Sequence, residues 1–192
     1  MRIGVFGGAF DPIHLGHLLV ADDARRRLGL DRVLLVPTSR PPHRPRPRAP
    51  FADRMRMVEV ATRGWPGLEP CGVEGERPGR SYTVDTLRRL RARLPGARFW
   101  LLLGADQYRD MAGWHEPRAV GRLARIAVLD RPGQPRPRVF RGHDPRRVSF
   151  VPVMAVDLSA AQVRARLARH RSVGYMLATS VSDYIRTHRP YC

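Results

Sequence analysis

Short apolar runs alternate along the chain with segments whose apolar residues recur at helical spacing. The apolar runs predict buried strands at 3–6, 33–36, 99–103, 125–129 and 148–153. Helical spacing predicts helices at 15–28, 51–63, 83–94, 160–169 and 181–188. Strands that alternate with helices favour a parallel sheet with right-handed crossovers. We therefore predict a single α/β domain over residues 1–192, doubly wound and Rossmann-like, with ligands beyond the carboxyl ends of its strands.

Segments rich in proline, glycine and arginine separate these elements. Residues 37–50 read PTSRPPHRPRPRAP, a pattern typical of an extended and mobile loop. A similar loop is predicted between the last two strands, whereas the pattern of residues 64–80 assigns no element.

Side-chain positions within the elements follow from the same pattern. In the helix predicted at 51–63, the residues expected to face the core are Met55, Val58 and Ala61. Trp100 falls in a central strand and is expected in the core. The histidines that belong to no motif, which we expect at the surface, are His143, His170 and His188.

The charge is strongly positive, with 35 basic and 17 acidic residues and a formal net charge of +18. Every basic residue apart from histidine is arginine. Such a charge is typical of nucleic-acid-binding proteins. However, phosphate binding alone does not require the complete absence of lysine, which favours a coding bias. Nucleic acid is therefore the less favoured partner, and small anionic ligands are preferred.

Localisation and redox state follow from what the sequence lacks. No apolar run approaches the roughly 18 residues that span a bilayer, and the first residues, MRIGVFGGAF, contain no long apolar region of the kind found in export signals. Cys71 and Cys192 are isolated, so neither a disulfide nor a zinc site is predicted. We expect a soluble cytoplasmic protein that binds no membrane. The oligomeric state stays open, with a homo-oligomer among the alternatives.

The candidate chemistry is concentrated in residues 7–17, GGAFDPIHLGH. The glycines allow a sharp turn and a close approach of the backbone to a ligand. His14 and His17 are three residues apart where a helix begins, so both imidazoles lie on one face. Backbone N–H groups at a helix start favour anions. The segment therefore predicts a phosphate cradle with two imidazole donors. It lacks the zincin spacing, and no protein metal site is predicted.

This segment resembles the G-x-F-x-P-x-H-x-G-H signature of the nucleotidyltransferase superfamily. Four further matches, spread over nearly the whole chain, resemble the bacterial nicotinate-nucleotide adenylyltransferase family. They are Pro42-His43-Arg44, the SYTVDTL of residues 81–87, Gly104-Ala105-Asp106 with the later Trp114, and the LSAAQVR of residues 158–164.

The resemblance implies a nucleotidyltransferase fold and a cytoplasmic enzyme of NAD biosynthesis. Its acceptor, nicotinate mononucleotide, would attack the α-phosphorus of ATP directly, giving nicotinate adenine dinucleotide and pyrophosphate. Mg²⁺ would accompany ATP as the cofactor. The catalytic residues implied are His14, His17 and Arg164, which would hold the triphosphate and the leaving pyrophosphate.

The resemblance also implies the binding residues. Those for ATP are Gly8, Ala9, Phe10, Gly104, Asp106, Ser159 and Arg44. Thr83, Trp114 and His115 would bind the acceptor, with the indole of Trp114 stacked on the pyridine ring. For Arg44, a solvated charge in a loop is the competing interpretation.

Some positions depart from the family pattern. Ala9 stands where Thr or Ser is common, Ala161 replaces a usual Thr, and residues 175–178 lack a customary proline. Two alternatives therefore remain open: a nucleotidyltransferase with another phosphorylated acceptor, and a non-catalytic protein that binds nucleotides or nucleic acid. The sequence does not decide between nicotinate and nicotinamide forms of the acceptor.

Overall fold

Six parallel strands form one sheet in the order β3-β2-β1-β4-β5-β6. The computed structural model describes residues 1–42, 45–76, 78–130 and 135–191. The strands are β1 (Arg2–Gly8), β2 (Arg32–Pro37), β3 (Leu68–Pro70), β4 (Arg98–Gly104), β5 (Arg125–Asp130) and β6 (Val148–Pro152). This strand order is that of the dinucleotide-binding Rossmann fold.

Helices follow the strands along the chain. They are α1 (Leu15–Leu28), α2 (Phe51–Thr62), α3 (Thr83–Arg93), α4 (Ala105–Arg109), α5 (Pro117–Leu123), α6 (Ala160–Leu167) and α7 (Thr179–His188). Two 3₁₀ turns, Asp110–Gly113 and Pro145–Arg147, complete the described elements. The predicted end of α1 is confirmed, since Gly29 adopts a left-handed conformation with φ of 57° there.

The hydrophobic core is divided between the two faces of the sheet. In β2, Val33 and Leu35 belong to one buried cluster, whereas Leu34 and Val36 belong to the other. This alternation follows from the two-residue period of a strand. The first cluster also holds residues of α1, α2, α6 and α7, and the second those of α3, α4 and α5. The prediction of a doubly wound α/β sheet is confirmed.

The five strands and five helices predicted from the sequence are all present, with bounds that differ by at most two residues. The sequence pattern missed β3, α4 and α5, which have three, five and seven residues. Elements this short complete too few periods of hydrophobic spacing to be recognised. The edge strand β3 lies within the segment 64–80, which had no assignment.

Two expectations about the core were wrong. In α2 the buried methionine is Met57, not Met55, which is only half-buried. Arg54 lies on the same buried face and is 1% exposed. His143, expected at the surface, is buried. Its Nε2 lies 2.9 Å from the Pro117 carbonyl oxygen and its Nδ1 lies 3.2 Å from the Tyr108 hydroxyl. Both ring nitrogens have partners, so the imidazole is buried without loss of hydrogen bonding.

The other expectations about side-chain burial are confirmed. Trp100 is buried in β4, while His170 and His188 are exposed. Cys71 is half-buried, and burial is the main cause that raises the pKa of its thiol. This thiol is therefore protonated at neutral pH and poorly nucleophilic.

Close packing in β1 depends on a glycine. A Cβ atom at Gly4 would lie 2.8 Å from Cγ2 of Val33 and 3.0 Å from Cδ1 of Leu30. Both side chains are buried in the first cluster, which leaves them little room to move. Gly4 therefore sets how closely the connection after α1 packs on the central strand.

We predict that Gly4→Ala lowers the free energy of unfolding by about 1–3 kcal/mol, because the added methyl overpacks the core. Urea unfolding followed by circular dichroism measures this change. The control is Gly64→Ala, where a Cβ would have no neighbour within 4 Å. That change should alter stability by less than about 1 kcal/mol. Equal stability of Gly4→Ala and the parent would contradict the packing argument.

Candidate active site

The crevice where ligands are expected lies between the carboxyl ends of β1 and β4. These strands are neighbours, yet the chain leaves β1 toward β2 on one side and leaves β4 toward β5 on the other. Connections that diverge in this way leave a crevice at the carboxyl ends of the two strands. Gly8 and Gly104 end the two strands, so both segments predicted to bind ATP lie at this crevice.

The two signature histidines are in contact. His14 precedes α1, and its backbone N–H donates to Nδ1 of His17 at 3.3 Å. The ring centroids lie 3.7 Å apart with an interplanar angle of 26°. A neutral imidazole that accepts at Nδ1 carries its proton on Nε2. The structure thus brings together the two imidazoles that the spacing placed on one face.

Phe10 acts as a support for this pair. Its backbone has a φ of 45° and its side chain is 1% exposed. The ring packs edge-to-face on His17, with centroids 5.0 Å apart. A Cβ at Gly8 would lie 3.1 Å from that ring, so a glycine lets the loop fold back over the strand. Ala9, between them, is exposed. The Phe10 side chain therefore faces the core, and its backbone alone is left to contact a ligand.

Arg164 of α6 approaches the signature loop, residues 9–14, which connects β1 to α1. Its Nη1 donates to the backbone carbonyl of Asp11 at 2.5 Å and lies 3.7 Å from Oδ2 of the same residue. Its Nε is buried and has no hydrogen-bond partner within the described part of the chain. A buried donor of this kind is costly unless a ligand satisfies it. The guanidinium therefore lies at the loop with a donor suited to an anionic oxygen.

Ser159 begins α6 as its N-cap. Its Oγ accepts the backbone N–H of Gln162 at 3.2 Å, and its own N–H donates to Oε1 of Gln162 at 2.7 Å. This reciprocal pair fixes the start of the helix that carries Arg164. The Ser159 side chain is thus engaged in capping, and the residue itself is exposed.

The residues after β4 form the other wall of the crevice. Gly104 is the N-cap of α4, and its N–H donates to Oε1 of Gln107 at 3.2 Å. Asp106 follows in the first turn, with a side chain that is 74% exposed and ion-paired with Arg109. An exposed carboxylate at this position is accessible to ribose hydroxyls.

The acceptor-binding candidates come from two segments that meet through an aromatic contact. Thr83 begins α3, and the preceding Tyr82 packs on His115 with ring centroids 4.4 Å apart. Trp114 adjoins His115 and packs partly buried against the second core cluster. Although separated by 30 residues in sequence, Thr83, Trp114 and His115 are thereby brought to one region.

Arg44 lies outside the described residues. The described residues on either side of it line a cavity of about 280 Å³. Its lining residues are Ser39, Arg40, Arg46, Pro47, Ala49, Pro50, Phe51 and Arg54. Sequence reasoning missed this cavity because its arginines come from both a loop and a helix.

Sequence reasoning also missed two buried charged residues, Arg54 and Asp11. Arg54 donates to the carbonyl oxygens of Ala9 at 2.7 Å, Thr38 at 2.8 Å and Ala49 at 3.1 Å. Burial lowers the pKa of its guanidinium, and the Asp11 carboxylate opposes that shift. One available signal was the helical phase of Arg54, which coincides with Met57, Val58 and Ala61.

The described residues show neither a metal cage nor a membrane span. Within the described ranges, no group of three or more His, Cys, Asp or Glu side chains could hold a metal ion. Among the same residues, no helix has the length and apolarity needed to cross a bilayer.

Comparison with known proteins identifies the family to which this chain belongs. The family profile described as cytidylyltransferase-like matches residues 5–171. A curated protein of Thermus thermophilus, named probable nicotinate-nucleotide adenylyltransferase, is 43% identical, and the match covers 100% of both chains. A protein of Thermomicrobium roseum with the same name is 40% identical, over 99% of this chain and 91% of its own.

A solved structure has the same fold. The nicotinic acid mononucleotide adenylyltransferase of Plasmodium falciparum, in complex with NaAD, superposes with a TM-score of 0.75 at 17% identity. The superposition covers 99% of this chain and 97% of that chain. Such low identity supports the fold alone, whereas the full-length curated relatives support the family. The chain therefore belongs to the nicotinate-nucleotide adenylyltransferase family of cytidylyltransferase-like proteins.

Proposed function

We propose that this protein transfers the adenylyl group of ATP to nicotinate mononucleotide, forming nicotinate adenine dinucleotide and pyrophosphate in cytoplasmic NAD biosynthesis. One observation carries the chemical part of this proposal. The stacked pair His14 and His17 and the guanidinium of Arg164 meet at the loop that leaves β1. Together they form a set of donors for a polyphosphate, positioned at the crevice between β1 and β4.

The reaction needs positioning more than covalent catalysis. An oxygen of the acceptor phosphate forms a bond to the α-phosphorus while the bond from that phosphorus to the pyrophosphate oxygen breaks. Negative charge then accumulates on the leaving pyrophosphate. His14, His17 and Arg164 would donate hydrogen bonds to these oxygens, stabilising the transition state and the leaving group.

Adenosine would lie on the β4 side of the crevice. The exposed carboxylate of Asp106 would accept from ribose hydroxyls, and the backbone at Gly104 would lie near the base. The loop residues Gly8, Ala9 and Phe10 would contribute backbone groups to the phosphates. Ser159 would act through the start of α6, which it caps.

The acceptor would lie where Tyr82 and His115 pack together. Trp114 offers an aromatic face to the pyridine ring. Thr83 and the backbone at His115 would donate to the nicotinate carboxylate. Arg44, whose position the structure does not describe, is proposed as a further contact to the phosphates.

Mg²⁺ is proposed to enter with ATP. Hard cations prefer oxygen ligands, and Mg²⁺ in nucleotide sites is usually held by phosphates and water. The carboxylate within the signature segment, Asp11, already accepts two backbone N–H groups. The triphosphate itself would therefore hold the ion, which would neutralise part of its charge.

The first test is pyrophosphate release from Mg-ATP, with nicotinate mononucleotide and nicotinamide mononucleotide supplied in parallel. We expect turnover with the nicotinate form and weaker turnover with the amide, because Thr83 and backbone donors suit a carboxylate. An assay without acceptor is the control for ATP hydrolysis. Failure with both acceptors, in protein that binds Mg-ATP, would refute the named reaction and favour another phosphorylated acceptor.

His17→Ala should lower kcat by about 10²–10³-fold, the usual effect of losing one donor to a developing anion. The KM for ATP should change much less, because the donor acts mainly in the transition state. Steady-state pyrophosphate release measures both constants. As a matched control, His170→Asn changes an exposed histidine outside the site and should leave both unaltered. Undiminished kcat in His17→Ala would contradict the assigned role.

Trp114→Ala should raise the KM for nicotinate mononucleotide by about tenfold, since a stacking contact is worth on the order of 1 kcal/mol or more. The KM for ATP should stay within about threefold of the parent value, because the indole lies on the acceptor side. Trp114→Phe retains an aromatic face and should restore part of the affinity. If the alanine variant binds the acceptor normally, the stacking interaction is absent.

A further inference from the structure

We propose that Asp11 is a positioning residue that joins the signature loop to Arg164 and to the end of the segment 37–50. This inference deepens the proposed function, on which the roles of Arg164 and the signature loop rest. Asp11 is 5% exposed and lies between Phe10 and the histidine pair. It contacts two other parts of the chain at once, one of them 153 residues away in sequence.

The carboxylate of Asp11 holds the backbone of residues 48 and 49. Oδ2 accepts the N–H of Arg48 at 2.8 Å, and Oδ1 accepts the N–H of Ala49 at 3.0 Å. Each oxygen therefore has its own backbone donor. Ionised acceptors form stronger hydrogen bonds than neutral ones, so this pair fixes the segment firmly on the loop.

Arg54 holds the same segment from the other side. Its Nε donates to the carbonyl of Ala49 at 3.1 Å, while its Nη1 donates to the carbonyl of Ala9 at 2.7 Å. Ala49 is thus held at its N–H by Asp11 and at its carbonyl by Arg54, and it is 2% exposed. Ala49 and the loop residues 9–11 therefore behave as one hydrogen-bonded unit with opposite charges inside it.

Asp11 also contacts Arg164, a catalytic residue in the proposed function. Its backbone carbonyl accepts from Nη1 of Arg164, whose distance from Oδ2 is 3.7 Å. The Tyr191 hydroxyl also neighbours this carboxylate, and burial followed by the charge of Asp11 raises its pKa. The groups that face Asp11 are thus Arg164, Arg54 and Tyr191. The carboxylate of Asp11 therefore adds a charge attraction to the hydrogen bond that its backbone carbonyl makes with Arg164.

Asp11→Asn separates this role from simple filling of space. Asparagine has nearly the same shape, but its amide N–H₂ would face one of the two backbone donors of residues 48 and 49. Two donors cannot pair, and a buried N–H without a partner favours local opening. Loss of the charge also removes the attraction between this carboxylate and Arg164, while the hydrogen bond to the backbone carbonyl remains.

Trypsin gives a direct measure of that opening. In the segment 37–50, Arg40, Arg44 and Arg46 are each followed by proline, which blocks cleavage. Arg48–Ala49 is therefore the one susceptible bond of this segment, and both of its residues donate to Asp11. We expect Asp11→Asn to accelerate cleavage of this bond by about tenfold or more, as measured by mass spectrometry of timed digests.

Two controls separate local opening from general instability. Arg56–Met57 lies inside α2, so its cleavage reports unfolding of the whole domain. Asp31→Asn removes a carboxylate that accepts the backbone N–H of Arg2 at 2.7 Å, at the amino ends of β1 and β2. That variant should leave the Arg48–Ala49 rate unchanged. An unchanged rate in Asp11→Asn, or a rise that parallels cleavage at Arg56–Met57, would overturn the proposal.

Mg-ATP affinity tests the contact with Arg164. Binding is measured by calorimetry for the parent, Asp11→Asn, Arg164→Lys and the double variant. If Asp11 acts through Arg164, Asp11→Asn should weaken binding by about fivefold or more in the parent, and by less than about twofold in the Arg164→Lys background. Additive effects would overturn this arm of the proposal.

Neither of these two measurements depends on which acceptor the enzyme uses. Proteolysis needs no substrate, and calorimetry needs Mg-ATP alone. If the parent protein releases no pyrophosphate with either pyridine mononucleotide, the proposed function fails while these two measurements still decide the role of Asp11. If turnover is normal but both measurements show no effect of Asp11→Asn, the function stands and the positioning role fails.

Discussion

The parallel pairing of β1 with β4 is the constraint on which the rest of the site depends. It joins residues almost a hundred positions apart, with Val5 opposite Leu101 and Phe6 opposite Leu102. Because the connections leave these two strands in opposite directions, their carboxyl ends border an open crevice instead of a crossing helix. The signature loop after β1 and the Gly104–Asp106 segment after β4 consequently lie at the same crevice.

Polar contacts then fix the loops around that crevice. Arg54 binds carbonyl oxygens of the signature loop and of both ends of the segment 37–50, and Asp11 binds two backbone donors at the end of that segment. Loops that carry function are usually less ordered than the scaffold, and buried charges are tolerated only when they are paired and hydrogen-bonded. In this protein Arg54 and Asp11 are both buried and hydrogen-bonded to backbone groups of loops. Their hydrogen bonds therefore give these irregular segments a defined geometry.

The large positive charge is distributed between structural and site roles. Arg88 forms two hydrogen bonds to Glu116, and Arg93 pairs with Glu76, at exposed positions where solvent screens the interaction. Arg54 and Arg164, by contrast, lie at the signature loop and contact its backbone. Charge composition thus says little about function in this protein, while the position of individual guanidinium groups says a great deal.

The sequence by itself determined the longer strands and helices and the approach of the two motif histidines, because hydrophobic period and residue spacing are local properties. It predicted α1 with its Gly29 cap and the shared face of His14 and His17. Tertiary structure alone decided the burial of Arg54 and His143, the strand β3, and the meeting of Asp11 with Arg164 and Ala49. These depend on partners distant in sequence, because a polar or charged residue is stable inside only when such partners satisfy it. The helical phase of Arg54 gave a local signal of its burial but did not identify those partners.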